Sequence, residues 1–238
     1  MKPSWPALLP CLLLLAGCAT VPFDAPPKAD FRQVEPAAVL AEFDAAIGRD
    51  FECLESVVFR FFGRELAGLG FVAINATDGS YALACMTPAG IKLFEFRGVG
   101  TDVETLFMPP QLEKVKEHFA ESVARDIRRI YFGWVPPADA ALKRKRHRLV
   151  YTGRTDGGKV EYTYAGAQRA LVRKRFSKGW RTQATIDYFE YENVGGKLYP
   201  HGIVLRNKQY RYSLVLRVKS VRSSADAEGA ERRNVDEE

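Results

Sequence analysis

The sequence predicts a mainly β fold with helices, an α+β domain in which an antiparallel, incomplete β-barrel carries one long helix as its lid. Two observations lead there. Apolar residues alternate in two blocks of short runs, each run bounded by Gly, Pro or Asp-Gly, and a single stretch of helical period separates the blocks. That stretch is bracketed by Pro109-Pro110 and Pro136-Pro137, residues that open and close a helix because their rings fix φ and remove an N–H. Strands with one apolar face curl toward a barrel, and an amphipathic helix is the element suited to cover the side left open.

Each element has its own signal. Lys2 precedes an apolar run at 7–16, too short for a hydrocarbon core that needs about 20 residues, so 1–17 reads as a signal peptide. Residues 18–35 are rich in Pro, Ala and Asp without a period, as in a tether. A helix at 36–47 places Val39, Leu40, Phe43 and Ile47 on one face and stops at Gly48. Strands follow at 51–62, 70–76, 81–86, 91–97 and 102–107, with turns at Gly63, Asp78-Gly79, Pro88-Ala89-Gly90 and Gly98-Val99-Gly100. The long helix, 111–131, repeats Leu112, Val115, Phe119, Val123, Ile127 and Ile130 every three or four positions. Alternation then resumes at 148–152, 159–164, 170–176, 182–191, 198–206 and 210–218, the last read as an exposed edge able to add a partner strand. The domain is therefore 36–222, and the charged segment 223–238, without aromatics, reads as a disordered tail.

The chain carries 35 Lys and Arg against 29 Asp and Glu, a net charge of +6. The basic residues cluster at Lys143, Arg144, Lys145 and Arg146, extending to Arg148, and again between Arg169 and Arg181. Behind a signal peptide such clusters point to an anionic membrane surface, each cation contributing about 1 kcal/mol, and not to nucleic acid. With Cys11 in the signal peptide, Cys53 and Cys85 stand in an oxidising compartment, either paired or as buried free thiols. His118, His147 and His201 lack metal-ligand spacing, no Gly-x-Ser-x-Gly elbow or phosphate-binding loop occurs, and Glu190 and Glu192 read as a solvated strand face. The expectation is no catalytic residue, no metal and no cofactor.

Two resemblances sharpen this reading. Leu15-Ala16-Gly17-Cys18 resembles the lipobox of bacterial lipoproteins, which implies cleavage before Cys18, acylation of Cys18 and, with Ala19 in place of Asp, a periplasm-facing position on the outer membrane. The order helix, strand block, long helix, strand block resembles the lipoprotein carriers LolA and, more closely, LolB. It is carried by the hairpin Thr87-Pro88-Ala89-Gly90 leading into Ile91-Lys92-Leu93-Phe94, the helix ending before Pro136, and the pair Gly202-Ile203-Val204-Leu205 and Tyr212-Ser213-Leu214-Val215-Leu216. The resemblance implies an apolar cavity for acyl chains of a lipid or lipoprotein, lidded by Leu112, Val115, Phe119, Val123 and Ile127. It also implies a membrane-delivery loop at 64–70, with Leu66 or Leu69 exposed. The alternative is a scaffold or assembly lipoprotein that binds another envelope protein.

Overall fold

A computed structural model describes residues 21–155 and 157–223, so the segment read as a signal peptide, Cys18 and the residues from 224 lie outside the described residues. Among them, α1 spans Pro36–Ala46, and five strands follow: β1 Phe51–Phe61, β2 Arg64–Asn75, β3 Ser80–Met86, β4 Lys92–Val99 and β5 Asp102–Phe107. A 3-10 turn at Pro110–Val115 leads into α2, Lys116–Tyr131. Seven strands complete the chain: β6 Ala141–Lys145, β7 Arg148–Thr155, β8 Gly158–Ala165, β9 Ala170–Lys178, β10 Arg181–Val194, β11 Lys197–Asn207 and β12 Tyr212–Ser223.

All twelve form one antiparallel sheet in the order β5-β4-β3-β2-β1-β12-β11-β10-β9-β8-β7-β6. Each block is a meander, and the pairing of β1 with β12 joins them, leaving β5 and β6 as the edges of an open half-barrel. The chain between those two edges is α2, so the helix has to cross the concave face to connect them. Alternation sets that face: Phe51, Cys53 and Glu55 on β1, Val72 and Ile74 on β2, Tyr81, Leu83 and Cys85 on β3, and Phe96 on β4 are all buried. The first helix covers the other block, Phe43 meeting Tyr164 and Tyr191 edge-on.

Several boundaries differ from the expectation. Strand β6 was not foreseen, because Leu142-Lys143-Arg144-Lys145 shows no apolar alternation; it is an exposed edge strand that pairs on one side only. Strand β2 begins at Arg64, so the expected delivery loop is strand and continues the first hairpin. The segment 210–218 belongs to an interior strand, bonded to β1 and β11, and offers no edge to a partner. Cys53 and Cys85 are buried free thiols with β2 between them, about 10 Å apart by strand spacing and beyond disulfide reach. Residues 21–35, expected as a loose tether, are irregular but docked. Phe23 lies over Gly202, where a Cβ would stand 2.4 Å from its ring, and packs with Val204 and Val215 on the convex face, while Phe31 is fully buried in the main core.

Candidate lipid-binding site

The interior beneath α2 has two parts of different character. Under the C-terminal half of the helix the space is filled by Tyr131, Trp134, Tyr164, Tyr188 and Tyr191, all buried. The void left among Phe51, Tyr131, Trp134, Tyr199 and Ile203 is about 10 Å³, room for one water at most. Toward the Phe61 ends of the strands the same face continues as Val57 and Phe59 on β1, Phe94 on β4, and Tyr212 and Leu214 on β12, all half-buried, and ends in exposed Phe61 and Leu66. An apolar surface that grades from core to solvent along one set of strands is where an acyl chain can leave water, at about 25 cal/mol per Å² removed.

The helix is fastened accordingly. Its C-terminal half is held by polar groups of the sheet: the Tyr131 hydroxyl donates to Glu55 at 2.7 Å, Tyr188 donates to the Ile130 carbonyl at 2.7 Å, and Tyr212 donates to Asp126. The buried Lys174 ammonium donates to the carbonyls of Arg129 and Phe132, at 3.1 and 2.7 Å, and lies over the Trp134 ring at 4.8 Å. A cation there faces the negative end of the helix dipole, and it caps carbonyls that the helix leaves unpaired. The N-terminal half is held by rings, Phe119 meeting Phe94 at 5.3 Å and Phe96 at 5.9 Å between centroids. One half of the lid is pinned by directional bonds and the other rests on apolar contact that a guest chain can replace.

Burial shapes the electrostatics of the pinned half. It pushes the Glu55 carboxyl up to about 7 against the pull of the Tyr131 hydroxyl, and Asp126 up to about 6 against Tyr212, Arg129 and Arg125. It pushes Lys174 down to about 7. Asp187, also buried, is bracketed by Arg173 and Arg206. Among the described residues no cluster of three or more His, Cys, Asp or Glu is placed to hold a metal.

The lid residues expected from the sequence divide. Ile127 is buried, and Phe119 and Val123 pack partly against the core. Leu112 and Val115 sit in the 3-10 turn ahead of the helix, which buries none of its residues, and Val115 is 49 % exposed, so it covers nothing. The buried face also includes Ile130, which the periodic pattern holds, and Ala120, Ala124, Asp126 and Tyr131, which the sequence reading passed over, two of them being small and one charged. Leu66 is 52 % exposed at the end of the first hairpin, on the concave face beside Phe59, whereas Leu69 is half-buried and paired with Ser56 in mid-strand. The basic clusters do not form one surface. Lys143 and Lys145 lie on the β6 edge, Arg144 donates to the Arg32 carbonyl at 2.7 Å, and the Arg146 carbonyl accepts from Phe31. In the second cluster Arg173 and Arg175 are paired to Asp187 and Glu161, and Lys174 is inside. A cleft of about 720 Å³ opens at the far ends of β1 to β5, where Phe51, Ile74 and Val103 alternate with charged Arg97, Asp102 and Glu104; this wall is amphiphilic and lies away from Phe61 and Leu66.

Comparisons with known proteins agree with this architecture. A family model described as protein of unknown function, DUF3261, matches residues 70–220. No curated protein matches the sequence. A LolA superfamily protein from Nitrosomonas europaea superposes with a TM-score of 0.53 at 13 % identity, over 80 % of this chain and 94 % of that one. A domain from Vibrio parahaemolyticus named for outer membrane lipoprotein sorting gives 0.47 at 11 % identity, over 78 % of this chain and 91 % of the other. The first of these shows the fold, a LolA-like open barrel with a helix.

Proposed function

The chain belongs to the DUF3261 family, which is LolA-like, and from that premise we propose that it is a membrane-anchored carrier or acceptor of lipid or lipoprotein acyl chains in the periplasm, without catalysis. The observation that carries the reading is the graded apolar face from Val57 through Phe59 to Phe61 and Leu66, together with a lid whose N-terminal half rests on ring contacts with Phe94 and Phe96. Acyl chains enter beside Phe61 and Leu66, slide under Phe119 and Val123, and stop where Tyr131 and Glu55 close the interior. Each buried methylene contributes about 0.8 kcal/mol, so a chain of ordinary length is held firmly yet reversibly. A further support is the lipobox-like segment ending at Cys18, which supplies an anchor on the outer membrane.

Native mass spectrometry of the protein purified from a bacterial envelope tests this. A co-purified species of lipid mass is expected, and Phe59→Asp is expected to remove it while leaving the protein folded, since Phe59 is only half-buried. Protein that carries no lipid in either form assigns the face to ordinary packing and returns the choice to a scaffold lipoprotein.

A further inference from the structure

The two rims of the half-barrel differ in kind. At one rim the hairpin tips 75–80, 99–102, 145–148, 165–170 and 194–197 hold no Phe, Trp or Tyr. At the other, three tips two strands apart each present an aromatic ring with an arginine against it. Phe62, between β1 and β2, is 67 % exposed and has the Arg211 guanidinium 5.7 Å from its centroid. Tyr210, between β11 and β12, has Arg125 at 5.3 Å, and Trp180, between β9 and β10, is 86 % exposed with Arg181 at 4.8 Å. The pairings Phe61 with Tyr212 and Ala184 with Asn207 place all three tips on one side, in a row about 20 Å long by strand spacing.

The core does not account for these rings: Phe62 meets the exposed Phe61 at 4.3 Å between centroids, and all three stay exposed. The Phe62-Gly63 turn holds both residues at positive φ, 46° and 75°, a geometry whose first position favours Asn, Asp or Gly, so a phenylalanine here is held against its backbone preference as well as exposed. The charges at the same tips are one-sided. Residues 60–65, 177–182 and 207–212 contain Arg60, Arg64, Lys178, Arg181, Lys208 and Arg211, all exposed, against the single carboxylate of Glu65, which is paired to Arg60. Aromatic rings beside arginines suit the headgroup layer of a bilayer, where the ring meets the acyl boundary and the cation meets phosphate. A net of five positive charges would repel across a self-complementary contact between two copies. The anchor agrees in reach: Val21 is docked on the convex face, and the three-residue step from Cys18 spans at most about 11 Å, so an acylated Cys18 holds the domain close to its membrane.

We propose that this rim, and not the basic edge strand β6, seats the domain on an anionic phospholipid surface, with Phe62, Tyr210 and Trp180 at headgroup depth and the mouth between Phe61 and Leu66 opening onto the bilayer. It rests on the carrier reading only for the purpose of that mouth. The test reconstitutes the full chain into vesicles of phosphatidylglycerol and phosphatidylcholine and takes the emission of Trp180 as wild type minus Trp180→Phe. Expected are a blue shift and quenching by lipids brominated on their acyl chains, both lost in pure phosphatidylcholine. Arg181→Glu and Lys208→Glu are expected to weaken rim contact by about fivefold per cation removed, with an unchanged melting temperature. Trp180 emission that stays solvent-like in anionic vesicles overturns the proposal, as does self-association in the absence of lipid that Trp180→Ser abolishes. Lipid retained by Trp180→Ser in the mass spectrometric test separates the two ideas: unquenched Trp180 with bound lipid sinks the rim alone, and quenched Trp180 without bound lipid sinks the carrier alone.

Discussion

Glu55 is a carboxyl set into an apolar wall, with a tyrosine of the lid as its hydrogen-bond donor. Burial raises it from an ordinary 4.5 to about 7, so between those values the folded protein keeps a proton that the unfolded chain has released. The stability this confers is fully present below pH 4.5 and is lost as pH rises through 7, an effect of about 3 kcal/mol for a shift of this size. Asp126, raised from 3.8 to about 6, acts in the same direction in a lower window. The melting temperature is therefore expected to fall between pH 5 and pH 7, and Glu55→Gln, which keeps an acceptor for Tyr131 without a charge, is expected to flatten most of that fall. A wild-type profile that is level or rises over this interval, measured by thermal denaturation at constant ionic strength, would show that Glu55 stays ionised in the fold.

At the scale of elements, the lid separates into a working helix and a lead-in. Phe119 sits against Phe94 and Phe96, so Phe119→Asp places a charge in an apolar contact and is expected to cost about 2 to 4 kcal/mol. Val115→Asp, four residues earlier in the exposed 3-10 turn, is expected to change stability by less than about 0.5 kcal/mol. Chemical denaturation of the pair reads both, and equal losses would put the lead-in back on the sheet. From the sequence alone these two positions looked equivalent, because Leu112, Val115 and Phe119 continue one periodic pattern; what separates them is a break in the backbone at Val115, φ −117° and ψ 6°, which ends the 3-10 turn and starts α2 afresh. The same logic explains what else was legible. Hairpins with Asp-Gly or Gly-Gly and clear alternation, such as β3 and β8, fall within a residue or two of their expected limits. Strand β6 was hidden because an edge strand needs no apolar face, and the polar grip on α2 was hidden because Glu55, Asp126 and Lys174 are joined only by tertiary contact. The aromatic rim was hidden for a related reason: Phe62, Trp180 and Tyr210 are scattered along the chain and become neighbours only through the register of β1, β10, β11 and β12.

For the whole molecule the consequential departure from expectation is the segment before α1. A flexible tether would let the domain roam, but here the chain runs over the convex face, with the Pro22 carbonyl accepting from Arg217 at 2.7 Å and the Asp24 amide donating to Glu190 at 3.0 Å. It then turns inward at Phe31, whose ring is wholly buried in the main core and whose amide donates to Arg146 beside the β6 edge. This strap covers Gly202 and staples the C-terminal strands from outside while α2 spans them from inside, so the open barrel is held on both faces. The folding unit accordingly starts near Val21 and not at Pro36. A chain beginning at Val21 is expected to melt as the full protein does, whereas one beginning at Pro36 loses Phe23 and Phe31 together and is expected to aggregate or melt well below it. Phe31→Ala in the full chain isolates the larger contribution, about 3 to 5 kcal/mol for a fully buried phenylalanine, and Phe23→Ala, on a smaller surface cluster, is expected to cost less. Equal stability of the two truncated chains would return residues 21–35 to a passive linker and remove the short reach on which the proposed seating of the aromatic rim relies.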